Sequence, residues 1–360
     1  MMTLMKSIFK ISILLISVVL LAGCSDWVTP ESIEIEKNSI ENSNPELYAK
    51  YCEALKEYKR CDHNIIYTTY YNTPEIAANG SEKISMLPDS VDFVQLMNLE
   101  VSANHLQEID AVRNKIGTRF TMRFSYDDCV KAYDAYVEEV MAEAEGEDTE
   151  TSEETAPEII PFEEFYADEL HKVTDKIKEY GLDGFTFAFN GKNIDGMTET
   201  QKVDYTAVHD AAIAPVKEWI SSNSSILFFL EGNPQYILDA DILNAASYFI
   251  LPTRECRNIG ELALYGINAY TSGKLPEGAK MLYAVETPSF LEEEYLVGQF
   301  VFGLNDMRPQ LPLTADWIVK DASYTKSGIA IWNVQRDYFN AGGMIYPNVR
   351  KAIKTMNPNE

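Results

Sequence analysis

Residues 182–190, LDGFTFAFN, have the alternating pattern of a strand with two unlike faces. Successive side chains of a strand point to opposite sides. One face is aromatic and consists of Phe185, Phe187 and Phe189; the other is small or polar and consists of Gly184, Thr186, Ala188 and Asn190. We expect the phenylalanines to pack against outer helices and the small face to point into the lumen of a barrel.

Seven other short, apolar and β-rich segments occur along the chain, separated by helix-sized stretches. Together the eight segments begin near residues 64, 91, 118, 183, 224, 246, 280 and 328. Strands that alternate with helices predict an α/β fold, a (β/α)8 TIM barrel. A doubly wound open sheet is the alternative, but no glycine-rich phosphate turn follows the first segment. Two of the intervening helices are recognisable from the glycines that end them, Gly117 and Gly273.

Residues 1–23 have the pattern of a secretory signal peptide. Two lysines precede an apolar run at residues 11–21, which is too short to span a bilayer. The run leads into LAGC, residues 21–24, which resembles a bacterial lipobox, in which the cysteine is acylated. We therefore expect Cys24 to be lipidated and to anchor the protein in the bacterial outer membrane, at the cell surface or on the periplasmic face. Cleavage that leaves Cys24 unmodified is the alternative.

The remaining chain is predicted to form a tether and one domain. Residues 24–44 are polar and acidic, which favours an extended tether. Asn44 and Pro45 supply a helix N-cap and a first-turn proline, so we expect a helix to open a single barrel domain over residues 45–360. Residues 138–158 contain ten acidic residues and no basic one, which predicts a mobile, solvated insertion. Calcium binding there is a weaker alternative, because the pattern of an EF-hand loop is missing.

Charge and cysteine usage exclude several classes of partner. The formal net charge is −26 at pH 7, so phosphate backbones would be repelled and nucleic acid is not an expected partner. Neutral sugars are compatible with such a surface, because hydrogen bonds and aromatic stacking recognise them. The spacing of the cysteines after residue 24 matches no disulfide framework or metal site. We expect buried or free thiols, no metal, no cofactor and a monomer; the thiols are Cys52, Cys61, Cys129 and Cys256.

The stretch LDGFTFAFN resembles the fourth strand of family 18 glycoside hydrolases, the chitinases and endo-β-N-acetylglucosaminidases, whose motif is DGxDxDxE. When Asp183 and Gly184 are aligned with the start of that motif, its later carboxylates fall on Thr186, Ala188 and Asn190. The resemblance implies a mechanism in which the glutamate protonates the leaving oxygen and the preceding aspartate orients the substrate's N-acetyl group. Asparagine cannot deliver a proton at neutral pH, and alanine cannot orient an acetamide.

A second resemblance concerns GIAIWNV, residues 328–334. It is similar to the eighth strand of the same family, which implies that Trp332 forms the floor of the central sugar subsite. The two ends of the chain also resemble lipoproteins of Bacteroides-type bacteria that carry a family 18-like barrel. The outline of a glycosidase is therefore kept, whereas no catalytic residue is expected at Asp183, Thr186, Ala188 or Asn190. Loss of general-acid assistance alone forfeits roughly 10²- to 10⁴-fold in rate.

These patterns predict a non-catalytic, glycan-binding lipoprotein that serves carbohydrate acquisition, with an N-acetylglucosamine-containing glycan as the candidate ligand. The candidate contacts are Trp332, Asn190, Glu231, Tyr70 and Tyr248. Two alternatives stay open. The first is an active endo-β-N-acetylglucosaminidase or chitinase-like hydrolase that uses Glu231 or Glu286 as a displaced acid, since both lie near the carboxyl ends of predicted strands. The second is a structural or adhesive surface protein whose lumen binds nothing.

Overall fold

The structure, a computed structural model, describes residues 40–72, 77–146, 158–339 and 342–358. The predicted signal peptide, Cys24 and most of the predicted tether lie outside the described residues. The chain divides into two units between residues 49 and 50. The second unit contains the whole barrel.

Two helices begin the described chain. Helix α1 (Ile40–Ser43) lies within the predicted tether, and α2 (Pro45–Tyr58) begins at the predicted proline. The side-chain oxygen of Asn44 accepts a hydrogen bond from the Leu47 N–H at 3.0 Å. Asn44 is therefore the N-cap of α2, as predicted, and it satisfies one of the amide groups that a first helical turn leaves without a partner.

Eight parallel strands close into a barrel, as predicted. They are β1 (Ile65–Tyr70), β2 (Phe93–Leu96), β3 (Arg119–Ser125), β4 (Gly184–Phe189), β5 (Leu227–Gly232), β6 (Tyr248–Leu251), β7 (Met281–Glu286) and β10 (Lys326–Trp332). Each of the eight predicted segments forms one of them. Strands that follow one another in this series are neighbours in the barrel, and β10 closes it by pairing with β1. Strands β8 (Gln299–Gly303) and β9 (Asp306–Pro309) form a separate antiparallel hairpin after β7.

Helices cover the outside of the barrel. They are α3 (Ala103–Ile116), α4 (Tyr126–Gly146), α5 (Phe162–Glu179), α6 (Glu199–Ser222), α7 (Ala240–Ala245), α8 (Ile259–Thr271), α9 (Gln310–Ile318) and α10 (Pro347–Met356). Gly117 ends α3 with φ of 75°, a left-handed conformation that glycine adopts without strain. Within the described part of the chain, no helix combines the length and apolarity needed to cross a membrane.

The acidic stretch differs from its prediction. Helix α4 continues to Gly146, so residues 138–146 are helical rather than a loop. Alanine and glutamate are strong helix formers, and this preference outweighs the repulsion between the acidic side chains there. Residues 147–157 lie outside the described residues. After them the chain returns to α4, where Tyr133 Oη donates a hydrogen bond to the Ile160 carbonyl at 2.9 Å.

The barrel wall separates two hydrophobic clusters. The cluster in the lumen consists of Ile65, Tyr67, Phe93, Phe229, Tyr248, Ile250, Leu282, Ala284, Ala330 and Trp332. The larger cluster between strands and helices includes Phe185, Phe187 and Phe189, which confirms the predicted orientation of β4. Thr186 points the other way, into the lumen.

The middle of the lumen is filled by a buried hydrogen-bond network around Tyr67. Its hydroxyl donates to Gln95 Oε1 at 2.6 Å and lies 2.8 Å from Thr186 Oγ1 and 3.1 Å from Thr121 Oγ1. Burial raises the pKa of Tyr67 well above its usual value, so the phenol keeps its proton. The lumen is therefore packed at its centre, and a cavity lies at each end of the barrel.

The four described cysteines are free thiols. Cys52, Cys129 and Cys256 are buried, and Cys61 is exposed. Burial raises the pKa of the Cys129 and Cys256 thiols to about 11, so both are protonated and unreactive at neutral pH.

Candidate functional site

A cavity of about 530 Å³ opens at the carboxyl ends of the barrel strands. This is the end at which TIM barrels place their sites, because the loops that follow the strands meet there. Three of the five predicted ligand contacts, Asn190, Glu231 and Trp332, line the cavity, as does the motif position Ala188. These residues lie at or near the last positions of strands β4, β5 and β10, so the fold brings them together.

The other two predicted contacts, Tyr70 and Tyr248, do not line this cavity, which corrects the prediction. Tyr70 is fully buried between the barrel and its helices, with its ring 6.0 Å from His105. The next residue, Tyr71, lines the cavity instead, since neighbouring residues of an extended chain point to opposite sides. Tyr248 faces the lumen but is the first residue of β6, so it lies at the opposite end of the barrel.

An ion pair occupies the wall of the cavity across β4. Arg123 of β3 donates to both carboxylate oxygens of Glu231 on β5, at 2.8 Å and 3.1 Å. The strand register sets Arg123 beside Thr186 and Glu231 beside Ala188. The pair therefore bridges across the two motif positions, and the small side chains of Thr186 and Ala188 leave room for it.

Both members of this pair are largely shielded from solvent, with 17% of the Arg123 side chain and 14% of the Glu231 side chain exposed. Burial by itself lowers the pKa of Arg123, but the charge and hydrogen bonds of Glu231, aided by Asp128, outweigh it and raise the pKa. Asp128 lies 3.1 Å from the other side of the guanidinium. A carboxylate that accepts both N–H groups of an arginine is held in place as a hydrogen-bond acceptor.

Asn190 is held by a carboxylate that the sequence analysis missed. Asp127 Oδ2 accepts a hydrogen bond from Asn190 Nδ2 at 2.9 Å and another from the Asn190 N–H at 3.2 Å. Asp127 is the second residue of α4, two positions after the end of β3, and it lines the cavity. The sequence does contain a signal for this residue. Asp127 and Asp128 directly follow the predicted third strand, at the end of the barrel where sites form.

Trp332 is not an open platform. The guanidinium carbon of Arg254 lies 4.3 Å from the centroid of its ring, and that of Arg123 lies 5.4 Å from it. Only 8% of Trp332 is exposed. Both distances are within the range of a cation–π interaction. A sugar that contacts Trp332 must therefore share or displace Arg254, which the sequence analysis did not identify.

Comparison with known proteins identifies the family. The profile of glycoside hydrolase family 18, BT1044-like, matches residues 28–355. The chain belongs to this BT1044-like family. No curated protein matches the sequence.

Solved structures with the family 18 barrel are also similar to the chain. A selenomethionine-labelled, glutamate-to-glutamine variant of BT1044 has a TM-score of 0.57 at 16% identity, and the match covers 88% of this chain and 95% of that one. A chitinase from Bacteroides thetaiotaomicron has a TM-score of 0.46 at 9% identity, covering 82% and 97% of the two chains. At these identities the likeness to BT1044 shows the barrel fold.

In this BT1044-like chain, Asp183 and Glu286 are the other two acidic residues singled out from the sequence, and both accept hydrogen bonds from neighbouring residues. Asp183, aligned with the first aspartate of the motif, accepts hydrogen bonds from the Phe120 N–H at 2.8 Å and Arg113 Nε at 3.1 Å. It thus fastens the amino-terminal end of β4. Glu286 accepts from Asn333 Nδ2 at 2.5 Å and from Arg336 Nη1 at 3.0 Å, and it is not among the residues that line the cavity.

Proposed function

We propose that this protein binds a glycan in the cavity at the carboxyl ends of the strands and does not cleave it. The observation that carries the proposal is the bidentate pair of Arg123 and Glu231, which spans the motif positions Thr186 and Ala188. A paired arginine and glutamate in this place can position polar ligand groups, but they supply no free acid.

Membership of a glycoside hydrolase family supports a sugar as the ligand. The chemistry of the cavity is consistent with it: the carboxamide of Asn190, the hydroxyl of Ser125 and the guanidinium of Arg254 offer both donors and acceptors to sugar hydroxyls. Trp332 adds an aromatic wall beside Arg254. An N-acetylglucosamine-containing glycan is the proposed class, because the family resemblance implies that sugar.

The state of the nearby carboxylates argues against hydrolysis. Glu231 is paired with Arg123, Glu286 is bonded to Asn333 and Arg336, and Asp127 holds Asn190. Without a general acid in reach of the bridging oxygen, the rate falls by roughly 10²- to 10⁴-fold. Besides Glu231, the carboxylates that line the cavity are Asp127, Asp128 and Glu255. Asp127 is the candidate for a displaced acid, since it contacts Asn190 at the position of the family's glutamate.

The test combines a glycan array with an assay for released reducing sugar on chitin oligomers and N-glycan cores. We expect the protein to retain at least one glycan and to release no sugar from it. Release of sugar by the protein that disappears in Asp127→Asn, Glu231→Gln or Glu286→Gln would contradict the proposal and identify the displaced acid. A protein that neither binds nor cleaves any glycan would favour the structural alternative.

The binding variant for the same experiment is Trp332→Ala. If the sugar contacts this ring, the change should weaken binding by about 1–3 kcal/mol. The matched control is Tyr270→Ala, because Tyr270 is an exposed aromatic residue on the outer helix α8 and should leave glycan binding unchanged.

We also propose that the protein is held at the outer membrane by an acylated Cys24, where it would serve carbohydrate acquisition. The support is the lipobox-like LAGC at residues 21–24. Cys24→Ser should abolish incorporation of labelled palmitate and leave an unprocessed precursor or one cleaved elsewhere. Labelling that persists in Cys24→Ser would show that the anchor lies elsewhere.

A further inference from the structure

A second cavity, also of about 530 Å³, opens at the amino-terminal end of the barrel, opposite the proposed glycan site. Its lining is basic in a protein whose formal net charge is −26. The cationic lining residues are Lys56, Lys59, Arg60, Arg113, Arg119 and Lys280, and Asp62 is the one carboxylate among the lining residues. Because the protein as a whole is acidic, a cluster of cations around one cavity indicates an anionic ligand there.

Several of these cations are already neutralised by carboxylates outside the lining. Arg113 lies 3.0 Å from Asp183, and Lys56 lies 2.9 Å from Glu53. Lys280 makes a long ion pair of 3.8 Å with Asp62, whose side chain is 97% exposed. Such an exposed pair contributes little and is easily replaced by a better anion.

Arg119 is the lining cation that faces the lumen of the barrel. It is the first residue of β3, points into the lumen and is only partly exposed. Its guanidinium lies 4.1 Å from the centroid of the Phe93 ring. Among the described residues, no carboxylate lies within 4.0 Å of it. A partly buried guanidinium without a counter-ion costs free energy that a bound anion would recover.

Tyr248 completes the arrangement. It lines the same cavity, with Lys280 Nζ 5.7 Å from the centroid of its ring. Burial raises the pKa of Tyr248, while the charge of Arg119 opposes this, and the net shift is upward. The phenol therefore stays protonated at neutral pH and can donate a hydrogen bond.

We propose that this amino-terminal cavity binds a phosphate or sulfate group, with Arg119 and Lys280 as the cationic contacts and Tyr248 as a hydrogen-bond donor. The planar fork of an arginine matches two oxygens of a tetrahedral oxyanion, and an ammonium group adds a point charge. Two sources present this chemistry: a free phosphorylated molecule and the head group of an anionic lipid. The site is independent of the proposed glycan function.

The first arm of the test is calorimetric titration of the full chain with inorganic pyrophosphate. We expect saturable binding that weakens at least tenfold in Arg119→Gln and in Lys280→Gln. Lys280 is 46% exposed, so its variant is expected to fold even if Arg119→Gln does not. The control is Lys202→Gln on the outer helix α6, which removes one partly exposed charge, paired with Glu199, and should leave binding unchanged.

The second arm measures sedimentation with vesicles of phosphatidylglycerol or phosphatidylcholine. Any attachment through a lipidated terminus is the same for both vesicles, so only the difference between them reports on the cavity. A preference for phosphatidylglycerol that Lys280→Gln abolishes, without pyrophosphate binding, supports the site with a lipid head group as its source. Pyrophosphate binding without that preference supports a free anion. Absence of both, or equal binding by Lys280→Gln and Lys202→Gln, overturns the proposal.

Discussion

Arg123→Leu is expected to lower the free energy of unfolding by about 3–5 kcal/mol, the usual cost of leaving one member of a buried ion pair without its partner. In the variant, Glu231 would remain 86% shielded beside β4 while both of its N–H donors are gone. Asp128 would lose the same cation and would keep Lys131, whose Nζ lies 3.5 Å from its carboxylate. Urea denaturation followed by circular dichroism measures the change.

Two further variants test whether the loss of stability comes from the buried ion pair or would follow the removal of any arginine. Arg308 makes an ion pair with Asp306 at 2.8 Å, but the two side chains are 56% and 47% exposed. Arg308→Leu should therefore change the free energy of unfolding much less than Arg123→Leu does. The double variant Arg123→Leu with Glu231→Leu should recover much of the lost stability, because it leaves no buried charge. An Arg123→Leu protein as stable as Arg308→Leu would show that Glu231 is solvated without its partner.

Gly328→Ala is expected to lower the free energy of unfolding by roughly 2–6 kcal/mol, the combined range for overpacking and for backbone strain. Gly328 pairs with Ile65 where β10 closes the barrel on β1. A Cβ atom there would lie 2.1 Å from the Ile65 carbonyl oxygen and 2.6 Å from its nitrogen. Its φ of 141° is also unfavourable for any residue with a side chain. Relief would require the two strands to separate, which is measurable by thermal unfolding.

Gly303→Ala is the matched control for Gly328→Ala. Gly303 lies in the β8–β9 hairpin, its φ is outside the left-handed region, and no heavy atom lies within 4 Å of an added Cβ. The same chemical change should therefore cost less than about 0.5 kcal/mol there. If both variants unfold at the same temperature, close packing between β1 and β10 at Gly328 does not determine the stability of the barrel.

The proposed function depends on which groups occupy the lumen beside β4. A family 18 strand normally offers carboxylates there, as the motif resemblance implies, whereas this chain offers threonine, alanine and asparagine. Arg123 and Glu231 from the neighbouring strands extend across the positions where the motif would place its carboxylates. The resulting wall is charged and hydrogen-bonded, which is the arrangement on which the proposed binding without cleavage rests.

Part of the site was predictable because it depends only on strand position. Asn190, Glu231 and Trp332 lie at or next to the ends of their strands, and parallel strands bring their carboxyl ends to one rim. The tyrosines were placed incorrectly for two different reasons. Tyr70 is on the outer face by strand alternation, and Tyr248 begins its strand rather than ending it.

The sequence by itself determined the eight-stranded barrel and the two faces of β4, since both follow from short-range alternation of apolar and polar residues. It also determined the helix ends at Asn44 and Gly117, which depend on local backbone chemistry. Only the tertiary structure decided that Arg123 reaches Glu231, 108 positions away, and that Arg254 covers Trp332. These contacts depend on strand register and side-chain direction around a closed barrel, and no local pattern in a single sequence encodes which side chains then meet.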